Sequence, residues 1–239
     1  MLDIPSDDEL TSELWTGLIE ISAEIPDNWT LIGAQMVFLH GLEYSRTPPR
    51  RSTDLDIIVN VRAVPAQLER FVEGIQALGY RLEGISADNV GHRFVRGNIK
   101  MDVLLPDHIG TRAKREVAPA VRSIEVPGGT QALTRSAPIE VRTHAASGVV
   151  PRPSLLGAIL VKARAVEVDD LPDAQREDLA FLLSLVPDPF RLAGELQGNE
   201  RGWLKRRAEL FHANAPAWRV IDEAEDGRAA LRILADAGG

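Results

Sequence analysis

Three carboxylates are the residues in this chain whose types and spacing could do chemistry. Asp54 and Asp56 stand two apart in DLDIIVNV, a segment that reads as a strand, so both side chains leave one face of a sheet, about 7 Å apart along it. Asp102 interrupts the apolar run of IKMDVLL. If the two segments are neighbouring strands, about 4.8 Å apart, the three carboxylates converge. Like charges that close raise a pKa and destabilise the fold unless a cation neutralises them. Oxygen-only donors select Mg2+ or Mn2+, the ions that carry triphosphates in phosphoryl and nucleotidyl transfer. With 35 acids in 239 residues, acid-x-acid pairs arise by chance roughly five times in such a chain, so the pair alone carries little. A solvated edge strand explains Asp54 and Asp56 equally well, but it does not explain Asp102.

Other chemistries are poorly supplied. The chain has no Cys, and its five His show no spacing that would hold zinc. The net charge is -8, and residues 1–30 hold eight acids with no Lys or Arg, leaving a near-neutral body that can still present a local basic rim to phosphates. No apolar run approaches the roughly 20 residues of a membrane helix, and the first residues have neither a basic nor an apolar leader region, so a cytoplasmic protein without membrane contact is expected.

The elements that must position the carboxylates follow from periodicity. Residues 1–25 read as an acidic amphipathic helix stopped by Pro26. TLIGAQMVFLHGL reads as a short strand, a Gly turn and a helix from Ala34 to about Leu42, with Gly41 as its C-cap and His40 a core or capping residue. EYSRTPPRRST is a loop, residues 64–78 a helix, and YRLEGI, HRFVRG and IKMDVLLP strands. Residues 111–150 carry weak strand signals in SIEV and PIEVRT around a Pro-Gly-Gly turn. Ser154 is a plausible N-cap for a helix through LLGAILVKARAVEV, PDAQREDLAFLLSLV is a second helix, and the remainder, with Trp203 and Trp218 in its core, is helical. The expected fold is α/β (α+β), a mixed sheet with flanking helices over residues 1–150 and a helical lobe over 151–239.

The stretch LIGAQMVFLHGLEYSRTPPRRSTDLDIIV, followed by GHRFVRGNIKMDVLLPD, resembles the nucleotidyltransferase (polymerase beta-like) superfamily, and most closely its AbiEii-like toxin members of type IV toxin-antitoxin systems. Arg51, Thr53, Asp54 and Asp56 come close to the R-x-T-x-D-x-D segment of those relatives. The resemblance spans roughly residues 29–108 and implies a nucleotidyltransferase-type sheet. It implies that Asp54 and Asp56 hold Mg2+ or Mn2+, that Asp102 is the third carboxylate activating an acceptor hydroxyl, and that Gly33 and Ala34 form the turn receiving an NTP. The family usually has a second Gly or a Ser where this chain has Ala34, so one side-chain hydrogen bond to phosphate is missing. In the helical half, Lys162 and Asp178 match a Lys and an Asp-Leu pair of the AbiEii-like relatives and become nucleotide-binding candidates, Lys162 catalytic as well.

Lys162 has an alternative as a solvated residue paired with Glu167 or Asp169 or snorkelling from a core face, and Asp178 as a structural partner of Arg164 or Lys162. Arg46, Arg50 and Arg51 either meet phosphate or ride a solvated loop, and His92 and Arg93 open a strand near the cleft. The implied reaction is transfer of a nucleoside monophosphate from an NTP to a hydroxyl, with tRNA, a protein side chain or a small molecule as acceptor and an antitoxin protein as a possible partner. Two alternatives stand beside it: a catalytically degenerate member of the fold that binds nucleotide or a partner, and an interaction module that docks a partner through the apolar stripe and acidic face of residues 1–25.

Overall fold

The computed structural model describes residues 1–5, 8–110, 113 and 115–236. The chain is mixed α/β followed by a helical region, as its periodicities predict. The first half contains β1 (Leu2–Asp3), α1 (Glu9–Glu24), β2 (Trp29–Ile32), α2 (Gly33–Glu43), β3 (Asp54–Val59), α3 (Gln67–Ala77), β4 (Arg81–Leu82), β5 (Arg93–Arg96) and β6 (Ile99–Pro106). Then come β7 (Glu116–Ala118), β8 (Val121–Arg122), β9 (Glu125–Val126), α4 (Gly129–Thr134), β10 (Ser136–Arg142) and β11 (Ser147–Pro153). The helical region comprises α5 (Leu155–Ala165), α6 (Pro172–Ser184), α7 (Pro189–Gly194), α8 (Glu200–Lys205) and α9 (Ala224–Ala235), with short 3-10 turns at Ala208–Phe211 and Pro216–Val220.

The central sheet runs β2-β3-β6-β5-β4, with β9 added beside β6. β3 and β6 pair in parallel, whereas β2, β5 and β4 join antiparallel. Along β3 and β6 the burial alternates: Leu55, Ile57, Met101 and Val103 are fully buried, and Asp54, Asp56 and Asp102 on the opposite face are only partly so. Period-two patterning therefore sends one face into the core and leaves the other wet.

The helix over residues 1–25 begins only at Glu9, where the Asp8 side chain caps it by accepting from Thr11 N–H at 2.7 Å. Leu2 and Asp3 instead pair in parallel with β10. Leu14, Trp15, Leu18 and Ile21 of α1 are at most 1% exposed. Its apolar stripe is thus spent inside the chain's own core, at about 1.5–3 kcal/mol per large side chain, so that stripe is not offered to a partner. Gly41 is not a C-cap either, because α2 continues to Glu43. A Cβ on Gly41 would lie 2.6 Å from the Arg46 carbonyl, so its role is close packing.

The weak region holds more order than its signals show: β10 and β11 form a full hairpin, and α4 opens on the last glycine of the Pro-Gly-Gly turn. The turn to helix comes at Ser154, whose hydroxyl accepts from Gly157 N–H. The C-terminal remainder is helical, with 3-10 turns between its helices at Ala208–Phe211 and Pro216–Val220. Trp218 is in the core, and Trp203 is partly buried under the Arg164 guanidinium.

Candidate functional site

Register decides the site. In the parallel β3–β6 pair, Asp56 stands opposite Asp102 and Asp54 opposite Lys100; across the antiparallel pair, Arg93 stands opposite Asp102. Register partners share a face, so Asp54, Asp56, Asp102 and Arg93 gather on the wet side of the sheet. Sequence reasoning noted Arg93 near the cleft without a role. Yet HRFVR and IKMDVLLP flank a two-residue Gly-Asn turn, which is a hairpin signal that sets Arg93 against Asp102.

Asp56 is the strained member of the group. Burial pushes its carboxyl up to about 6, the positive charge of Lys162 opposes that rise, and the charges of Asp102 and Asp54 add to it. No side-chain hydrogen bond reaches the Asp56 carboxylate among the described residues. Asp102, by contrast, is held by both prongs of Arg93, with Nε and Nη2 each donating at 2.9 Å. Arg93 Nη2 also lies 3.9 Å from Asp54 Oδ2, and His92 Nε2 lies 3.8 Å from Asp102 Oδ2. The donors fit a hard divalent cation in type: all are carboxylate oxygens, on one face, with one of them unsatisfied. With Asp102 turned onto Arg93, no three acidic or imidazole side chains among the described residues make a ready ligand set.

Gly33 packs directly against this cluster. Its φ is +69°, and a Cβ there would fall 1.8 Å from Asp56 Oδ2, so both the turn and the approach require glycine. α2 starts at Gly33 without a side-chain cap, leaving its first backbone N–H groups for an incoming anion. Ala34 is buried at the turn. Ala34, Arg51 and Thr53 meet at one cavity of about 130 Å³, whose wall also includes Arg50, Trp15 and Phe38. Three of the residues that carry the resemblance or its turn thus come together at one cavity.

Lys162 and Asp178 lie behind the carboxylates rather than in solvent. Lys162 Nζ is 2.7 Å from Asp178 Oδ2, and both side chains are almost fully buried. Lys162 also donates to Gln175 Oε1 at 2.8 Å, and Arg50 Nε donates to Asp178 Oδ1 at 2.9 Å. Of the open pairings, Lys162 takes Asp178, while Arg164 takes Glu167. Arg46 reaches Glu223. Arg50 is the residue whose role sequence could not supply: a loop arginine on a helical acid 128 positions away has no local signal. His40 is fully buried, with Nε2 3.1 Å from the Pro153 carbonyl and burial lowering its pKa, a core role.

Comparison of the chain with protein-family models, with curated proteins and with solved structures finds no match. No helix among the described residues is long and apolar enough to cross a membrane.

Proposed function

We propose that this protein is a Mg2+- or Mn2+-dependent nucleotidyltransferase that moves a nucleoside monophosphate from an NTP to a hydroxyl acceptor, with the α–β phosphoanhydride bond broken and pyrophosphate leaving. The observation that carries the reading is the in-register pair Asp56 and Asp102, with Asp54 on the same face and Gly33 pressed onto Asp56. Asp54, Asp56 and Asp102 would hold the metal, which when bound neutralises triphosphate charge and lowers the barrier to displacement at phosphorus. The uncapped N–H groups of α2 at Gly33 and Ala34, with Arg51 and Thr53, receive phosphate oxygens. Asp102 takes the proton of the acceptor hydroxyl. Lys162 acts through Asp56, its positive charge holding that carboxyl toward the ionised form, and Asp178 and Gln175 hold Lys162 in place.

The acceptor in this reading is a tRNA end or another hydroxyl, and a toxin countered by an antitoxin protein is the biological form it takes. Incubation with each labelled NTP, total RNA and Mg2+ tests the activity. Label is expected in a macromolecular fraction and is expected to vanish with Asp56→Ala. Growth arrest on expression, relieved by Asp54→Asn, tests the toxin form.

A second reading, a nucleotide- or partner-binding protein without turnover, is favoured by Ala34 at the turn and by the grip of Arg93 on Asp102. A thermal shift with NTP and no transfer to any acceptor would establish it instead.

A further inference from the structure

Resting on the reading above, we propose that Arg93 is an exchangeable counter-cation that neutralises Asp102 in the chain alone and competes with a divalent metal for that carboxylate. Both Asp102 oxygens accept from Arg93, and the same guanidinium reaches toward Asp54, so one side chain spans two of the three metal candidates. A carboxylate oxygen bound to Mg2+ or Mn2+ stands about 2.1 Å from the ion. A guanidinium 2.9 Å from both oxygens repels a dication that takes one of them, so metal and fork weaken one another.

Lys162 and Arg50, the cations whose charges act on Asp56, are not free to play this part. Lys162 is buried and bound to Asp178 and Gln175, and Arg50 is bound to both oxygens of Asp178. Arg93 is 38% exposed and extends from the short strand β5, so its side chain has solvent to swing into while the backbone register stays. The arrangement keeps three carboxylates foldable without metal, at the cost of weakening the first metal contact at Asp102.

Mn2+ titration followed by the electron paramagnetic resonance of the free ion tests the competition. The proteins are the full chain, Arg93→Ala, Arg93→Lys and Arg81→Ala, the last removing an exposed charge from β4. Arg93→Ala is expected to bind Mn2+ about tenfold more tightly than the parent, the scale of one charge-assisted hydrogen-bonded pair. Arg93→Lys should fall between, because a lysine keeps the charge and loses the fork, and Arg81→Ala should match the parent. In the absence of metal, Arg93→Ala should melt at lower temperature and recover on adding Mn2+. Equal affinity for parent and Arg93→Ala, or an equal gain in Arg81→Ala, overturns the competition and leaves the metal site standing. Failure of every variant to bind Mn2+ overturns both the competition and the metal-dependent reading.

Discussion

Asp56 combines a buried carboxyl, two acidic neighbours and a glycine pressed onto its oxygen. Its pKa is raised from 3.8 to about 6 in the fold, so the native state holds a proton there more tightly than the unfolded chain does. The associated stability is fully present below about pH 4 and is lost as pH rises through about 6. Asp56→Asn, which has nothing to ionise, should therefore be more stable than the parent at pH 7 without metal, by about 1–3 kcal/mol. That gap should close toward pH 4. Urea unfolding across pH 4–8 measures it, and a pH-independent gap would mean that Asp56 is not the strained group. The residue types at this site were legible early: carboxylates two apart on a strand share a face whatever the fold, because the pleat has period two. The neutralising partners were not, because Arg50 and Arg93 owe their roles to contacts made by the folded chain.

Among the elements, the β2-turn-α2 unit was read correctly in type because an apolar run, a glycine and a second apolar run follow in order. Its glycine has two separable duties. Gly33→Ala would force a side chain into a left-handed backbone and into Asp56 at once, whereas Gly97, with φ +58° and no heavy atom within 4 Å of an added Cβ, meets only the first. Gly97→Ala should lose about 1 kcal/mol from backbone strain. Gly33→Ala should lose at least about 2 kcal/mol more, since Asp56 must shift. Chemical denaturation of both variants separates the terms, and equal losses would remove the Gly33–Asp56 contact from the account. The hairpin β10–β11 shows the opposite case: prolines at 138, 151 and 153 and a glycine at 148 blur alternation, and only pairing with β1 and with each other makes the segments strands.

Over the whole molecule, Asp178 ties the loop before β3 to two helices of the C-terminal region, through Arg50 and Lys162. This is a buried pair with a third member, and its removal strands charge in the core. Asp178→Ala should cost about 3–5 kcal/mol, far more than loss of an exposed ion pair. Thermal unfolding of that variant against Asp173→Ala, whose side chain is 90% exposed and pairs only locally with Arg176, makes the comparison; similar small losses would show that the network does not hold the two regions together. Class, the types of the strongly patterned strands and helices and the acidic face were determined by the sequence itself, since periodicity and residue chemistry are local properties. Which carboxylate is desolvated, which arginine covers which acid, and whether the first long helix is core or surface were decided by tertiary structure alone. Those outcomes depend on register and burial between segments far apart in the chain, and a linear pattern holds no record of which distant charge will stand within hydrogen-bonding reach.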